Sequence, residues 1–124
     1  MKNHIIVTGG AGFVGSNIIE LLLKKTNKKI LSIDNYSSGT KINHIYNKRV
    51  KYLVGNTQDI NKLLKKIKNK IHSVFHFGEF ARIYQSFINM NECLDSNTIG
   101  TNSVFNFCLE NKIKLIYSAT SASL

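Results

Sequence analysis

A doubly wound α/β fold with a parallel sheet is what this sequence predicts, and three observations carry the prediction. Short β-branched runs alternate along the chain with helical apolar stripes, four glycines stand between the first run and the first stripe, and an aspartate closes the second run.

The elements follow in order. Ile5, Ile6 and Val7 suit a strand buried on both faces, and Thr8 with Gly9 and Gly10 ends it. Val14, Ile18, Leu21 and Leu22 then recur at i, i+4, i+7 and i+8, the stripe of an amphipathic helix, with Lys24 and Lys25 at the end where cations suit the helix dipole. KILSID (29–34) and VKYLVG (50–55) read as the second and third strands. DINKLLKKIKNKI (59–71) keeps Ile60, Leu63, Leu64, Ile67 and Ile71 on one stripe and its lysines on other faces, which predicts a single solvated helix. IHSVFHFG (71–78) alternates as a fourth strand, and KIKLIYS (112–118) is a fifth. Between them, residues 91–110 form a long helix with apolar residues on more than one face, where Gly100 permits close packing. Right-handed crossovers give the strand order 3-2-1-4-5, with a ligand crevice at the carboxyl ends of strands 1 and 4, where the order reverses.

The glycines open onto that crevice. Their spacing reads Gly9-x-x-Gly12-x-x-Gly15, and through Gly10 also as G-x-G-x-x-G, at a strand-to-helix junction. A helix N-terminus presents unpaired N–H groups and partial positive charge, so a diphosphate binds there once side chains are out of its way. Gly15, in the first helical turn, lets helix and strand pack closely. Asp34 stands at the end of the second strand, where the Rossmann-type dinucleotide site places an acid to accept from the adenosine ribose hydroxyls. The carboxylate repels a 2′-phosphate and no arginine adjoins it, so NAD is expected rather than NADP.

A chain of 124 residues with 43% hydrophobic content makes one domain, residues 1–124, with a real core. Its net charge of +10 raises a nucleic-acid partner. That reading is disfavoured, because the charge is almost all lysine and lacks interleaved aromatics for base stacking. No stretch is long enough to span a membrane, and the N-terminal apolar run breaks at Gly9, too early for a signal peptide, so a cytoplasmic location is expected. Cys93 and Cys108 read as buried thiols rather than a disulfide. His72 and His76 share a helical zinc spacing but fall in a strand, so no metal site is expected.

With TGGAGFVG, DNYSSG, HFG and SAT in view, the chain resembles the first part of an extended short-chain dehydrogenase/reductase of the NAD-dependent epimerase/dehydratase family. The family moves a hydride between NAD and a nucleotide-linked sugar. Carried over by position, the resemblance implies that Phe13 and Val14 meet the pyrophosphate through their backbone N–H groups, and that Asp34, Asn35, Ser38 and Gly39 hold the adenosine ribose. It implies that Phe77 and Gly78 pass under the cofactor, that Asn97 packs near it, that Ser118 closes the fifth strand, and that Thr120 is the catalytic hydroxyl aligned with the sugar oxygen.

Departures from the pattern shape the expectation. Gly55-Asn56 stands where the family often has Gly-Asp, so Asn56 would accept from the adenine amino group as an amide. Glu79 brings a negative charge towards the phosphates unless Arg82 neutralises it. Ser121 and Ala122 replace the acid of sugar dehydratases, which favours epimerase or reductase chemistry. The family's base is a tyrosine with a lysine four residues on, yet Tyr36, Tyr46, Tyr52, Tyr84 and Tyr117 are followed at that offset by Thr40, Val50, Asn56, Ile88 and Ser121. The chain corresponds to less than half of a member's usual length. The expectation is therefore the N-terminal, NAD-binding portion, truncated after the fifth strand, without the substrate domain and inactive alone. A nucleotide sugar would be the partner of the full-length parent, and self-association through the uncovered sheet edge is expected of the portion. The alternatives are a free-standing NAD-binding regulatory module and a basic nucleic-acid-binding protein.

Overall fold

The computed structural model of the chain describes residues 1–37, 39–77 and 90–117, and for residues 90–99 the backbone only. Strand β1 (His4–Thr8) leads through the glycine turn into helix α1 (Phe13–Lys25), which returns to β2 (Lys29–Asp34). A single 3-10 turn at Lys41–Asn43 precedes β3 (Val50–Val54). After it come a 3-10 turn at Thr57–Asp59, the one-turn helix α2 (Ile60–Leu63) and another 3-10 turn at Lys68–Lys70. Strand β4 (Ile71–His76), helix α3 (Met90–Glu110) and strand β5 (Lys114–Tyr117) complete the described order.

All the strand pairs are parallel, in the order β3-β2-β1-β4-β5 that the sequence predicts. Successive side chains point to opposite faces, and each face has its own core. On one face Ile5, Val7 and Ile30 pack with Ile19 and Leu22 of α1. On the other, Ile6, Ile33, Ile71 and Val74 pack with Ile60, Leu64 and, from α3, Val104, Phe107 and Cys108. Gly100 is where α3 crosses the Thr57–Asp59 turn: a Cβ there would stand 2.2 Å from Thr57 Oγ1, so the expected close packing is realised. None of the described helices is long and apolar enough to cross a membrane.

Two local expectations need correction. Residues 59–71 do not form one helix; regular α-helix stops at Leu63, and the chain continues through turns closed by Ile67 N–H to Leu64 C=O and Lys70 N–H to Ile67 C=O. Lys62, Lys65, Lys66, Lys68 and Lys70 would meet one another at i+3 and i+4 in a continuous helix, which costs a few tenths of a kcal/mol per like-charge pair. The turns still bury Ile60, Leu64 and Ile71, so the apolar spacing is satisfied without the helix. In α1 the buried face is Gly15, Ile19 and Leu22, while Val14 and Leu21 are 37% and 49% exposed. The helix is apolar over so much of its circumference that two stripes compete, and the close approach at Gly15 selects the one that contains it.

Candidate functional site

The turn between β1 and α1 is held by backbone geometry that only small residues allow. Gly9 has φ 70°, the left-handed region that favours glycine, and its N–H donates to Ile33 C=O at 2.7 Å while its own carbonyl accepts from Gly12 N–H at 3.0 Å. A Cβ on Gly15 would stand 2.1 Å from that carbonyl oxygen and 2.8 Å from Gly10 Cα, both backbone atoms that cannot swing aside. Gly12 is the N-cap of α1; among the described residues no side chain caps the helix, and no acid lies in its first turn. The N–H groups at that end are therefore left without a side-chain acceptor among the described residues, beside the exposed side chains of Phe13 and Val14.

Asp34 ties this turn to the next one. It lies 8% exposed at the carboxyl end of β2, where Oδ2 accepts from Ala11 N–H at 3.0 Å and Oδ1 from Tyr36 N–H at 2.8 Å. Ala11 C=O in turn accepts from Thr40 N–H at 3.1 Å and from Asn43 Nδ2 at 2.8 Å. Gly39 lies against the same carboxylate, since a Cβ there would stand 2.7 Å from Asp34 Oδ2. Each carboxylate oxygen keeps a second lone pair. Asn35 and Asn56 come together across the mouth, Asn35 Nδ2 donating to Asn56 Oδ1 at 3.0 Å, while Asn35 Oδ1 accepts from Ser37 N–H.

Two features of the site escape the sequence reading. Tyr36, in the left-handed region at φ 61°, places its hydroxyl 2.6 Å from His44 Nε2, and the His44 ring stacks on Tyr52 at 3.8 Å. Burial first, and then the negative charge of Asp34, push the Tyr36 phenol above its ordinary pKa. The second is a buried polar chain at the carboxyl ends of β1 and β4. Thr8 Oγ1 lies 2.7 Å from His76 Nδ1 and accepts from Phe77 N–H at 2.9 Å, and His76 Nε2 lies 3.3 Å from Thr101 Oγ1 on α3. Either tautomer satisfies these contacts: the Thr8 hydroxyl donates to Nδ1 while Nε2–H donates to Thr101, or Nδ1–H donates to Thr8 while the Thr101 hydroxyl donates to Nε2. The available signal was positional, since Thr8 and His76 are the last residues of adjacent strands and are paired in register.

Gly9, Gly12, Phe13, Val14, Gly15, Asp34, Asn35, Gly39, Asn56 and Phe77 thus gather at the carboxyl ends of β1, β2, β3 and β4. Ser38, Gly78, Ser118 and Thr120, with Glu79, Arg82 and Tyr84, lie outside the described residues, as do the side chains of Cys93 and Asn97. Cys108 is buried, and burial pushes its thiol up to about 11, which makes it a poor nucleophile. Among the described residues no cluster of His, Cys, Asp or Glu could hold a metal ion.

Known proteins share both the sequence pattern and the fold. A model of the NAD dependent epimerase/dehydratase family matches residues 5–124. A UDP-N-acetylglucosamine 4-epimerase from Methanobrevibacter ruminantium M1, solved with UDP-N-acetylmuramic acid, is 31% identical and superposes with a TM-score of 0.82 over 98% of this chain and 39% of its own. A UDP-glucose 4-epimerase from Thermotoga maritima, solved with UDP-glucose, is 25% identical, with a TM-score of 0.78 over 92% of this chain and 37% of its own. The enzyme WbmG of Bordetella bronchiseptica, solved with NAD, shares the fold at 24% identity and a TM-score of 0.72, over 92% of this chain and 36% of its own. The chain spans somewhat more than a third of the length of these structures.

Proposed function

This chain belongs to the NAD-dependent epimerase/dehydratase family, and we propose that it forms the cofactor-binding part of an enzyme that epimerises or reduces a nucleotide-linked sugar. The observation that carries the proposal is the buried Asp34 carboxylate, fixed by two backbone N–H groups beside a helix N-terminus that has no side-chain cap. A dinucleotide fits what surrounds it. The uncapped first turn suits a diphosphate, which Phe13 and Val14 would hold through their N–H groups over the glycine turn of Gly9, Gly12 and Gly15. The remaining lone pairs of Asp34 suit the two hydroxyls of the adenosine ribose, with Asn35, Ser38 and Gly39 around them. Asn56 Oδ1, already accepting from Asn35, would take the adenine amino group on its other lone pair.

Phe77 and Gly78 would lie under the cofactor, Asn97 beside it, and Ser118 at the end of β5. When bound, NAD would supply the acceptor for a hydride from the sugar carbon. Thr120 would hydrogen-bond the sugar hydroxyl and fix its position for proton removal. The family's usual base is a Tyr-x-x-x-Lys pair, which this sequence lacks, so residues 1–124 would bind cofactor without turning over a sugar. Proton transfer by a placed base is worth roughly 10²–10⁴-fold in rate.

Calorimetric titration tests the reading. NAD should bind more tightly than NADP, and Asp34→Ala should weaken NAD by about tenfold or more, as the loss of a charge-assisted contact worth about 1.5–3 kcal/mol requires. Equal affinity of the unaltered chain for the two cofactors would overturn it. So would conversion of UDP-glucose by the purified chain, as regards the claim of inactivity.

A further inference from the structure

The break in the lysine-rich crossover opens a second concavity, at the opposite end of the sheet from the glycine turn. It is a groove of about 770 Å³ over the amino ends of β2 and β3, of a size that suits a ligand. Leu31 and Leu53 of the sheet and Leu63 and Ile67 of the crossover line it, and all four are only partly buried. Lys29 and Lys51 on the sheet side and Lys62, Lys65 and Lys66 on the crossover side line it as well. Among the described residues no carboxylate does.

The charge there is uncompensated. Among the described residues the one salt bridge joins Lys24 to Glu20 on α1, away from the groove. Arg49, also in the lining, is already used, its guanidinium donating to the carbonyls of Leu23, Thr26 and Lys28. His4, at the same mouth, reports the field: after burial, Lys29, Lys70 and Lys51 hold its pKa below the ordinary value.

From the apolar floor and the lysines on both sides we infer that this groove binds a short acidic segment of a partner polypeptide, in which Leu or Ile side chains meet the floor and flanking Asp or Glu meet the lysines. The aliphatic floor distinguishes this occupant from a nucleic acid. Single strands need aromatic faces on which bases stack, and the one Phe, Tyr or Trp ring among the described lining residues, Tyr52, is already stacked on His44 with an interplanar angle of 7°. A purely electrostatic ligand would leave the partly exposed leucines in water. The site is independent of the cofactor reading, since it shares none of the proposed cofactor-binding residues.

Fluorescence anisotropy with a labelled peptide of alternating Glu and Leu tests the inference on the whole chain, with an all-Glu peptide and oligo(dT) as comparisons. The Glu/Leu peptide should bind most tightly, and the exposed-site variant Lys62→Gln/Lys66→Gln should weaken it about tenfold. The variant Lys24→Gln/Lys25→Gln removes the same charge elsewhere and should change little. Amide shifts on titration should map to residues 29–31, 51–53 and 62–67. Tighter binding of oligo(dT), equal binding of the all-Glu peptide, or equal loss in the two variants would overturn it, as would the absence of binding.

Discussion

At the carboxyl end of the sheet, position is fixed by backbone fit and by buried hydrogen bonds; at the amino end, six lysines surround half-covered aliphatic side chains with no acid among the described residues there. The same five strands therefore present two kinds of surface. The first kind depends on atoms that cannot move, and a single methylene disturbs it. The second depends on summed charge, and a single lysine changes it only slightly. Their responses to substitution should differ in the same way.

Gly15→Val should have the largest effect. Its Cβ would collide with Gly9 carbonyl and Gly10 Cα, so the helix must shift off the strand, and the urea midpoint should fall by the equivalent of about 3 kcal/mol. His76→Leu comes next. It removes the imidazole contact of buried Thr8 and of half-buried Thr101 and should cost about 1–3 kcal/mol by the same measurement. A loss below about 0.5 kcal/mol in either variant would break the comparison at its rigid end.

At the charged end the expected effect is smaller and depends on pH. The folded His4 resists protonation, so below the ordinary value of 6.5 the unfolded chain binds more protons and stability is lost as pH falls through that value. Lys51→Gln should raise the His4 pKa, as read from imidazole shifts in NMR titration, and should lessen the acid-side loss. An unchanged His4 pKa would show that Lys51 contributes nothing to the field there. The smallest effect belongs to Ser32→Ala. Ser32 Oγ is fully buried beneath the glycine turn, 2.2 Å from where a Gly10 Cβ would be, and makes no hydrogen bond among the described residues. Its size rather than its hydroxyl is used there, so stability should change by less than about 0.5 kcal/mol or rise slightly.

The sheet order and the glycine turn were legible because they depend on local signals with few alternatives: β-branched runs, a fixed glycine spacing and an acid at the end of β2. The family resemblance added residue roles that composition could not supply. Less was legible where elements meet. On the stripe of α1, Ile18 and Leu22 face the core as read, but Val14 and Leu21 give way to Gly15 and Ile19, because burial is decided by Gly15 against the turn, a contact between segments. The crossover was read as a helix because Ile60, Leu64 and Ile71 recur as a helix would have them, yet successive turns bury the same residues. The chain of contacts from Thr8 through His76 to Thr101 joins three elements, and no one segment of sequence records it.

Ala11 carries a consequence of a different sort. Its N–H is taken by Asp34 at the end of β2 and its C=O by Thr40 and Asn43 beyond it, so the chain after β2 and the glycine turn have a fixed separation. Surface loops ordinarily accept inserted residues at little thermodynamic cost, because closure entropy grows slowly with length. The stretch between Asp34 and Asn43 is an exception: lengthening it would draw Thr40 and Asn43 off the Ala11 carbonyl and release the turn from one side. A library of insertions along the chain should therefore leave a gap over this loop while it populates the turns around Lys65 to Lys70. The length of the second loop is thus under the same restraint as the glycines of the first.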